Sequence, residues 1–159
     1  MSARRIVPYQ SQYQSRFFEL NRAWIEQYYQ LEEEDKRFLA DPQHYIIDKG
    51  GAVFFALDGA EVAGTCGIMK MDDDTYELVR MSVDARFRGK GYARALVEHA
   101  SRWASERGAK QVILETGSVL TPAIALYESL GFTHYTPEPK HRSGLARANV
   151  FMRLPLEKK

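Results

Sequence analysis

The chain has 159 residues, long enough for one domain with a sizeable core, and its 45% apolar and 27% charged residues are ordinary for a globular protein in water. A formal net charge of +1 lacks the basic excess that nucleic-acid or polybasic membrane binding requires, and no apolar run approaches the ~20 residues of a membrane-spanning helix. Cys66 is the only cysteine, so no internal disulfide can form, and no Cys/His cluster has metal-ligand spacing. The N-terminus is too short and too polar for a signal peptide, and a reducing cytoplasm is the expected location.

In chain order, Ile6 and Val7 begin a first strand that Pro8 cuts short. Phe17, Leu20, Trp24, Tyr28 and Leu31 recur at three- and four-residue steps, so Ser11 to about Leu39 reads as helix, broken or restarted at the acidic run Glu32–Asp35 and ended by Asp41-Pro42. The aromatic stripe Trp24, Tyr28 and Tyr29 suits a core face better than a ligand cleft. Val53 to Leu57 and Glu61 to Met71 read as strands joined by an Asp58-Gly59 hairpin turn. Asp72-Asp73-Asp74 is a polar turn, more plausible as a solvated loop than as a metal site.

Tyr76 to Val83 is the next strand, and a long helix follows to about Arg107, with Ala93, Leu96, Val97, Ala100, Trp103 and Ala104 on one face and Gly108 as its stop. Gln111 to Glu115 is a strand. Thr121-Pro122 reads as an N-cap followed by proline at the first turn of a short helix, Ala123 to Leu130, closed by Gly131. Phe132 to Tyr135 and Ala146 to Leu154 are the last strands, with a loop from Thr136 to Gly144 between them. Early hairpins imply antiparallel pairing, and the long helix implies a crossover between parallel strands. The expected fold is therefore α/β, or α+β, with a mixed sheet and helices on both faces, in one domain over residues 1–159.

The stretch Arg86-Phe87-Arg88-Gly89-Lys90-Gly91-Tyr92-Ala93 stands where a strand becomes a helix. The first N–H groups of a helix have no internal partners and carry partial positive charge, and glycines let an anion approach the backbone. Such a turn suits a phosphate. Gly91 is followed by Tyr92-Ala93, not the lysine-serine pair of a P-loop, which disfavours an ordinary nucleotide site.

Two motifs carry a resemblance. Arg86-Phe87-Arg88-Gly89-Lys90-Gly91 resembles the Q/R-x-x-G-x-G/A turn, and Ala123 to Phe132, with Leu126-Tyr127 and Gly131-Phe132, resembles the A-x-x-L-Y-x-x-x-G-F helix, of the GNAT superfamily of acetyl-coenzyme-A-dependent N-acetyltransferases. The resemblance covers nearly the whole chain, is sharpest from Tyr76 to Phe132, and implies a mostly antiparallel sheet with one splayed parallel pair. It implies acetyl-CoA as co-substrate, with no metal. The pyrophosphate would lie on the backbone of Arg88, Gly89, Lys90, Gly91, Tyr92, Ala93 and Arg94. The pantetheine arm would pair with the main chain of Met81, Ser82 and Val83, and a backbone N–H near Val83 would polarise the thioester carbonyl.

Tyr127 matches the tyrosine assigned as general acid to the departing thiolate. The acceptor amine must be neutral to attack, and a lysine-like amine is only about 0.04% neutral at pH 7, so a base helps. Glu77, six residues before Val83, stands where histone-type members place their catalytic glutamate. His134 and His141 are weaker candidates that fit surface histidines, and Glu115 could also reach a cleft from the next strand. Thr121 stands where many members have an asparagine that contacts the arm. Cys66 shows no sign of nucleophilic activation, which favours direct attack in a ternary complex. Family substrate walls correspond to about Trp24 to Phe38, acidic and aromatic, which suits a cationic amine, and to Thr136 to Leu145, which with nearby Arg147 carries Lys140, His141 and Arg142 and suits a carboxylate. Together they fit an amino-acid-like or polyamine-like small metabolite. A peptide or protein amine, a non-catalytic acyl-CoA sensor and a homodimer are left open.

Overall fold

In the computed structural model, which describes residues 4–156, the apolar alternating stretches form strands β1 (Arg4–Pro8), β2 (Ala52–Asp58), β3 (Glu61–Lys70), β4 (Thr75–Val83), β5 (Gln111–Thr116), β6 (Thr133–His134) and β7 (Val150–Pro155). They make one sheet in the order β1-β2-β3-β4-β5-β7-β6, mixed as expected, and antiparallel everywhere except between β4 and β5. Pro8 ends β1 at the sheet edge, where its missing N–H costs no ladder bond.

The helices are α1 (Gln14–Tyr28), α2 (Glu33–Ala40), α3 (Pro42–Tyr45), α4 (Tyr92–Glu106) and α5 (Thr121–Ser129). Two apolar clusters lie on the two faces of the sheet. Phe17, Leu20, Ile25 and Leu39 of α1 and α2 pack on Val53, Phe55 and Leu57. Leu96, Val97, Ala100 and Ala104 of α4 pack on Phe54, Ala56, Ile68 and Leu78. The alternation along β2 thus feeds one core from odd positions and the other from even ones.

Thr121 and the start of the last strand depart from the sequence reading, whereas the helix at the acidic run follows it. The acidic run restarts a helix, because Glu32 and Asp35 form a reciprocal capping box, and Asp41-Pro42 ends that helix and at once opens α3: the Asp41 carboxylate accepts the His44 N–H at 3.1 Å, and proline suits the first turn. Thr121 is not an N-cap. It is already inside α5, and no side chain caps that helix. The last strand begins at Val150, not Ala146, so Arg147 lies in the preceding loop and is not committed to a strand face.

The site is created where β4 and β5 part. Their parallel pairing runs from Thr75↔Gln111 to Leu78↔Leu114 and stops. Beyond it, Val79–Val83 keep β3 on one edge and have no strand on the other. Between the pairs Thr65↔Ser82 and Gly67↔Val79, one residue of β3 faces two of β4. This bulge leaves Arg80 at φ 54°, the one non-glycine residue in left-handed backbone among those described.

Candidate active site

The parted strands open onto a cavity of about 820 Å³, within the range of small-molecule sites. Its walls bring together the turn before α4, the free edge of β4, the C-terminal end of β5, the start of α5, α1, α2 and the loop before β7.

At one end stands the α4 N-terminus. Ala95 N–H makes the first intrahelical bond, to the Gly91 carbonyl at 3.1 Å, which leaves the N–H groups of Tyr92, Ala93 and Arg94 without helical partners. Gly91, the cap residue, supplies no side chain to satisfy them. Gly89 and Gly91 have φ 76° and 87°, backbone that side-chain-bearing residues resist, and a Cβ on Gly89 would meet nothing within 4 Å. The turn is braced from behind: the Arg4 guanidinium donates to the Lys90 carbonyl and lies 4.4 Å from the centre of the Tyr92 ring. Arg88 Nε donates to the Val83 carbonyl at 3.4 Å and Arg94 donates to Ser129 Oγ at 2.9 Å. These open donors, with the unpaired edge of Met81, Ser82 and Val83 beside them, fit a pyrophosphate joined to an amide-bearing arm.

At the centre stand Glu77 and Tyr127, 8% and 6% exposed, both on the cavity wall. Glu77 pairs with Ile113 across the parallel ladder, so Glu115 lies two residues further along on the same face. Burial pushes the Glu77 carboxyl up and the neighbouring Glu115 adds to it, opposed by Arg80, to about 8. Glu115 is itself tied to the loop before β7 by accepting the Ser143 N–H at 2.8 Å. Tyr127 is fixed by its ring against Phe132, centroids 5.7 Å apart, and its hydroxyl makes no hydrogen bond among the described residues. Burial pushes its phenol up, so it stays protonated. Cys66 is wholly buried and burial likewise pushes its thiol up, which leaves no thiolate to act as a nucleophile.

At the far end the cavity is aromatic and ionic. Trp24, Tyr28, Tyr29 and Phe38 line it. Tyr29 reaches over Gly117, where a Cβ would fall 1.9 Å from its hydroxyl oxygen. Asp35 is fully buried between two arginines: Arg147 grips both carboxylate oxygens, with Nη1 to Oδ2 at 2.8 Å, and Arg80 Nη1 donates to Oδ1 at 2.6 Å. Burial alone would raise this carboxyl; the hydrogen bonds from Arg147, Arg80 and the Glu32 N–H reverse that and hold it far below the usual range.

Most expected site residues converge. Glu77, Tyr127, Met81, Ser82, Val83, Arg88, Gly89, Gly91, Tyr92, Ala93 and Arg94 all line the cavity; Lys90 does not, its side chain lying over the Phe87 ring at 5.7 Å. Thr121 is not on the wall either, where Leu120, Pro122 and Ala123 stand. Other readings are corrected. The Trp24, Tyr28 and Tyr29 stripe lines the cleft as well as the core: Trp24 and Tyr29 pack against the cluster that holds Ile25, while all three stand on the cavity wall and Tyr28 is exposed. Glu115 does reach the cavity from β5, beside Glu77. His141 is buried, not superficial, and pairs with Asp72 Oδ2 at 3.0 Å; the same Asp72 accepts the Thr75 N–H at 2.8 Å, so within the otherwise exposed acidic turn this one residue anchors a loop. His134 is exposed, near Glu128. Asp35 and Arg80 were missed. A buried charge within an acidic run and a bulge within a strand leave little local trace.

The profile of the acetyltransferase (GNAT) family matches residues 13–132. The chain is 42% identical over 98 residues to N-acetylaspartate synthetase of Rattus norvegicus, a match covering 60% of this chain and 33% of that protein; the chain spans about a third of the length of such relatives. Its fold is similar to that of an acetyltransferase of the GNAT family from Staphylococcus aureus Mu50, with TM-score 0.87 and 20% identity over 98% of this chain and all of that one. It is also similar to a Salmonella typhimurium structure solved with its cofactor acetyl-CoA, with TM-score 0.74 and 21% identity over 99% and 96% of the two chains. No helix of the described residues is long and apolar enough to cross a membrane.

Proposed function

The chain belongs to the acetyltransferase (GNAT) family, and on that premise we propose that it transfers an acetyl group from acetyl-CoA to the primary amine of a small metabolite, by direct attack within a ternary complex. The observation that carries this reading is the single cavity that runs from the open N–H groups of α4, along the unpaired edge of β4, to Glu77 and Tyr127. The Salmonella typhimurium structure with acetyl-CoA and the small amino-acid product in the name of N-acetylaspartate synthetase both support it.

Bound acetyl-CoA supplies an activated acyl group and a thiol leaving group. The chain does the rest. The N–H groups of Tyr92, Ala93 and Arg94 hold a pyrophosphate, with Gly89 and Gly91 making room. The free edge of Met81 to Val83 aligns the arm as an added strand and so holds the acyl carbon at a fixed place. A carboxyl raised to about 8 is a strong base when ionised, and Glu77 takes the proton of the incoming ammonium group.

Tyr127 acts differently from a simple acid. Its phenol is raised above the ordinary ~10, whereas a thiol ionises near 8.5, so full proton transfer from Tyr127 to the departing sulfur is uphill. The hydroxyl therefore stabilises the developing thiolate by donating a hydrogen bond. Release of free thiol from acetyl-CoA in the presence of amines, compared between the wild type, Glu77→Gln and Tyr127→Phe, tests this reading.

A further inference from the structure

Arg80 is held in a place that the fold does not require. A bulge residue in left-handed backbone is normally glycine, asparagine or aspartate, yet here a long cation occupies it, with its side chain 10% exposed on the cavity wall. Its head group is stacked near Phe38, 5.3 Å from the ring centre, and donates to Asp35 through Nη1 alone. Nε and Nη2 have no hydrogen-bond partner among the described residues. Asp35 cannot take more, since Arg147 already grips both of its oxygens. The other acids near Arg147 do not compensate Arg80: Glu32 is 54% exposed and 3.5 Å from Arg147, and Glu34 is half-buried on the same turn. Asp35 thus works as a brace that presents a guanidinium with donors to spare. Those donors sit within electrostatic range of Glu77.

We propose that Arg80 binds a carboxylate of the acceptor, so that the substrates of this enzyme are free amino acids whose carboxylate lies close to the amine. The inference rests on the acyl-transfer reading for the position of the amine at Glu77. A planar carboxylate matches the free edge of a guanidinium. Polyamines, protein lysines and peptide N-termini lack a carboxylate next to the amine and leave those donors unpaired.

The test is calorimetric titration of the protein saturated with coenzyme A, which carries no acyl group to transfer. The probes are the twenty standard L-amino acids and their C-terminal amides. The best-bound acid is expected to exceed its amide by at least about tenfold in affinity, the factor one charge-assisted hydrogen bond supplies. In Arg80→Gln the gap is expected to fall below about threefold while amide binding and coenzyme A binding stay as in the wild type. Asp35 keeps its Arg147 pair in that variant, and if it nevertheless fails to fold the wild-type comparison still decides. Amides bound as well as acids, no binding of any acid, or a gap that survives Arg80→Gln would each overturn the proposal. Thioester release measured in parallel separates the two claims. Acids that bind without thiol release from acetyl-CoA sink acyl transfer and leave the subsite standing. Equal release with simple amines sinks the subsite and leaves acyl transfer standing.

Discussion

Glu77 and Glu115 share one face of adjacent parallel strands, offset by two residues, at the place where Leu78 and Leu114 make the last rung before the strands part. Burial pushes the Glu77 carboxyl up and the nearby Glu115 carboxylate adds to it, opposed by Arg80, to about 8. Turnover at saturating substrate is expected to rise with pH through about 8 and then level, because the working form of Glu77 is ionised. In Glu115→Gln the inflection moves to lower pH, since a source of repulsion is gone. In Glu77→Gln the inflection disappears and kcat drops about 100-fold or more. A pH–rate profile of the three proteins checks all three outcomes.

Tyr127→Phe removes one hydroxyl and keeps the ring that packs on Phe132. The account expects kcat to fall about 10- to 100-fold, the cost of one hydrogen bond made mainly to a developing charge, with KM for acetyl-CoA within about threefold and the Glu77 inflection unmoved. Steady-state kinetics over pH distinguishes this from a general loss of packing, which would lower thermal stability as well.

Gly91 has φ 87° and sits 3.3 Å, measured from a built Cβ, from Arg4 Nη1. Gly91→Ala strains the backbone by about 1–2 kcal/mol where the donor turn is braced. Affinity for coenzyme A is expected to fall about tenfold or more while acceptor KM changes little, as read by titration with coenzyme A. Gly117→Ala has the reverse signature. Its Cβ collides with the Tyr29 hydroxyl, so acceptor KM rises and coenzyme A affinity holds.

Much of the donor half was legible in the sequence, because it is local. The glycines, the open helix start and Tyr127 on its short helix lie within single elements, and the strand pattern fixed which edge they meet. The acceptor half depends on distance. Asp35 and Arg147 are 112 residues apart, and although each falls in or beside an expected substrate wall, nothing in either stretch shows that they pair. Arg80 stands in an unbroken strand pattern that hides the bulge. The aromatic stripe of α1 has the same spacing whether it faces core, cleft or both, and only the parting of β4 from β5 opens the cleft to it.

Asp35→Asn leaves two buried guanidinium groups with a neutral partner, and the expected loss is about 3–5 kcal/mol at pH 7 by urea unfolding. The folded carboxyl is held below its unfolded value, so its contribution is present above the usual carboxylate range near ~4 and fades as pH falls below it. The gap between wild type and Asp35→Asn is therefore expected to narrow between about pH 5 and pH 2. A gap that stays constant over that range would contradict the ionic account of this brace.

The most direct measurement is the fate of acetyl-CoA itself, followed by free-thiol release and by mass spectrometry of the amine over a panel of amino acids, polyamines and peptides. The account predicts thiol and N-acetylated product in equal amounts with at least one small amine, with Glu77→Gln reducing both together. Tight binding of acetyl-CoA with no thiol released by any amine would contradict it and mark the chain as an acyl-CoA sensor.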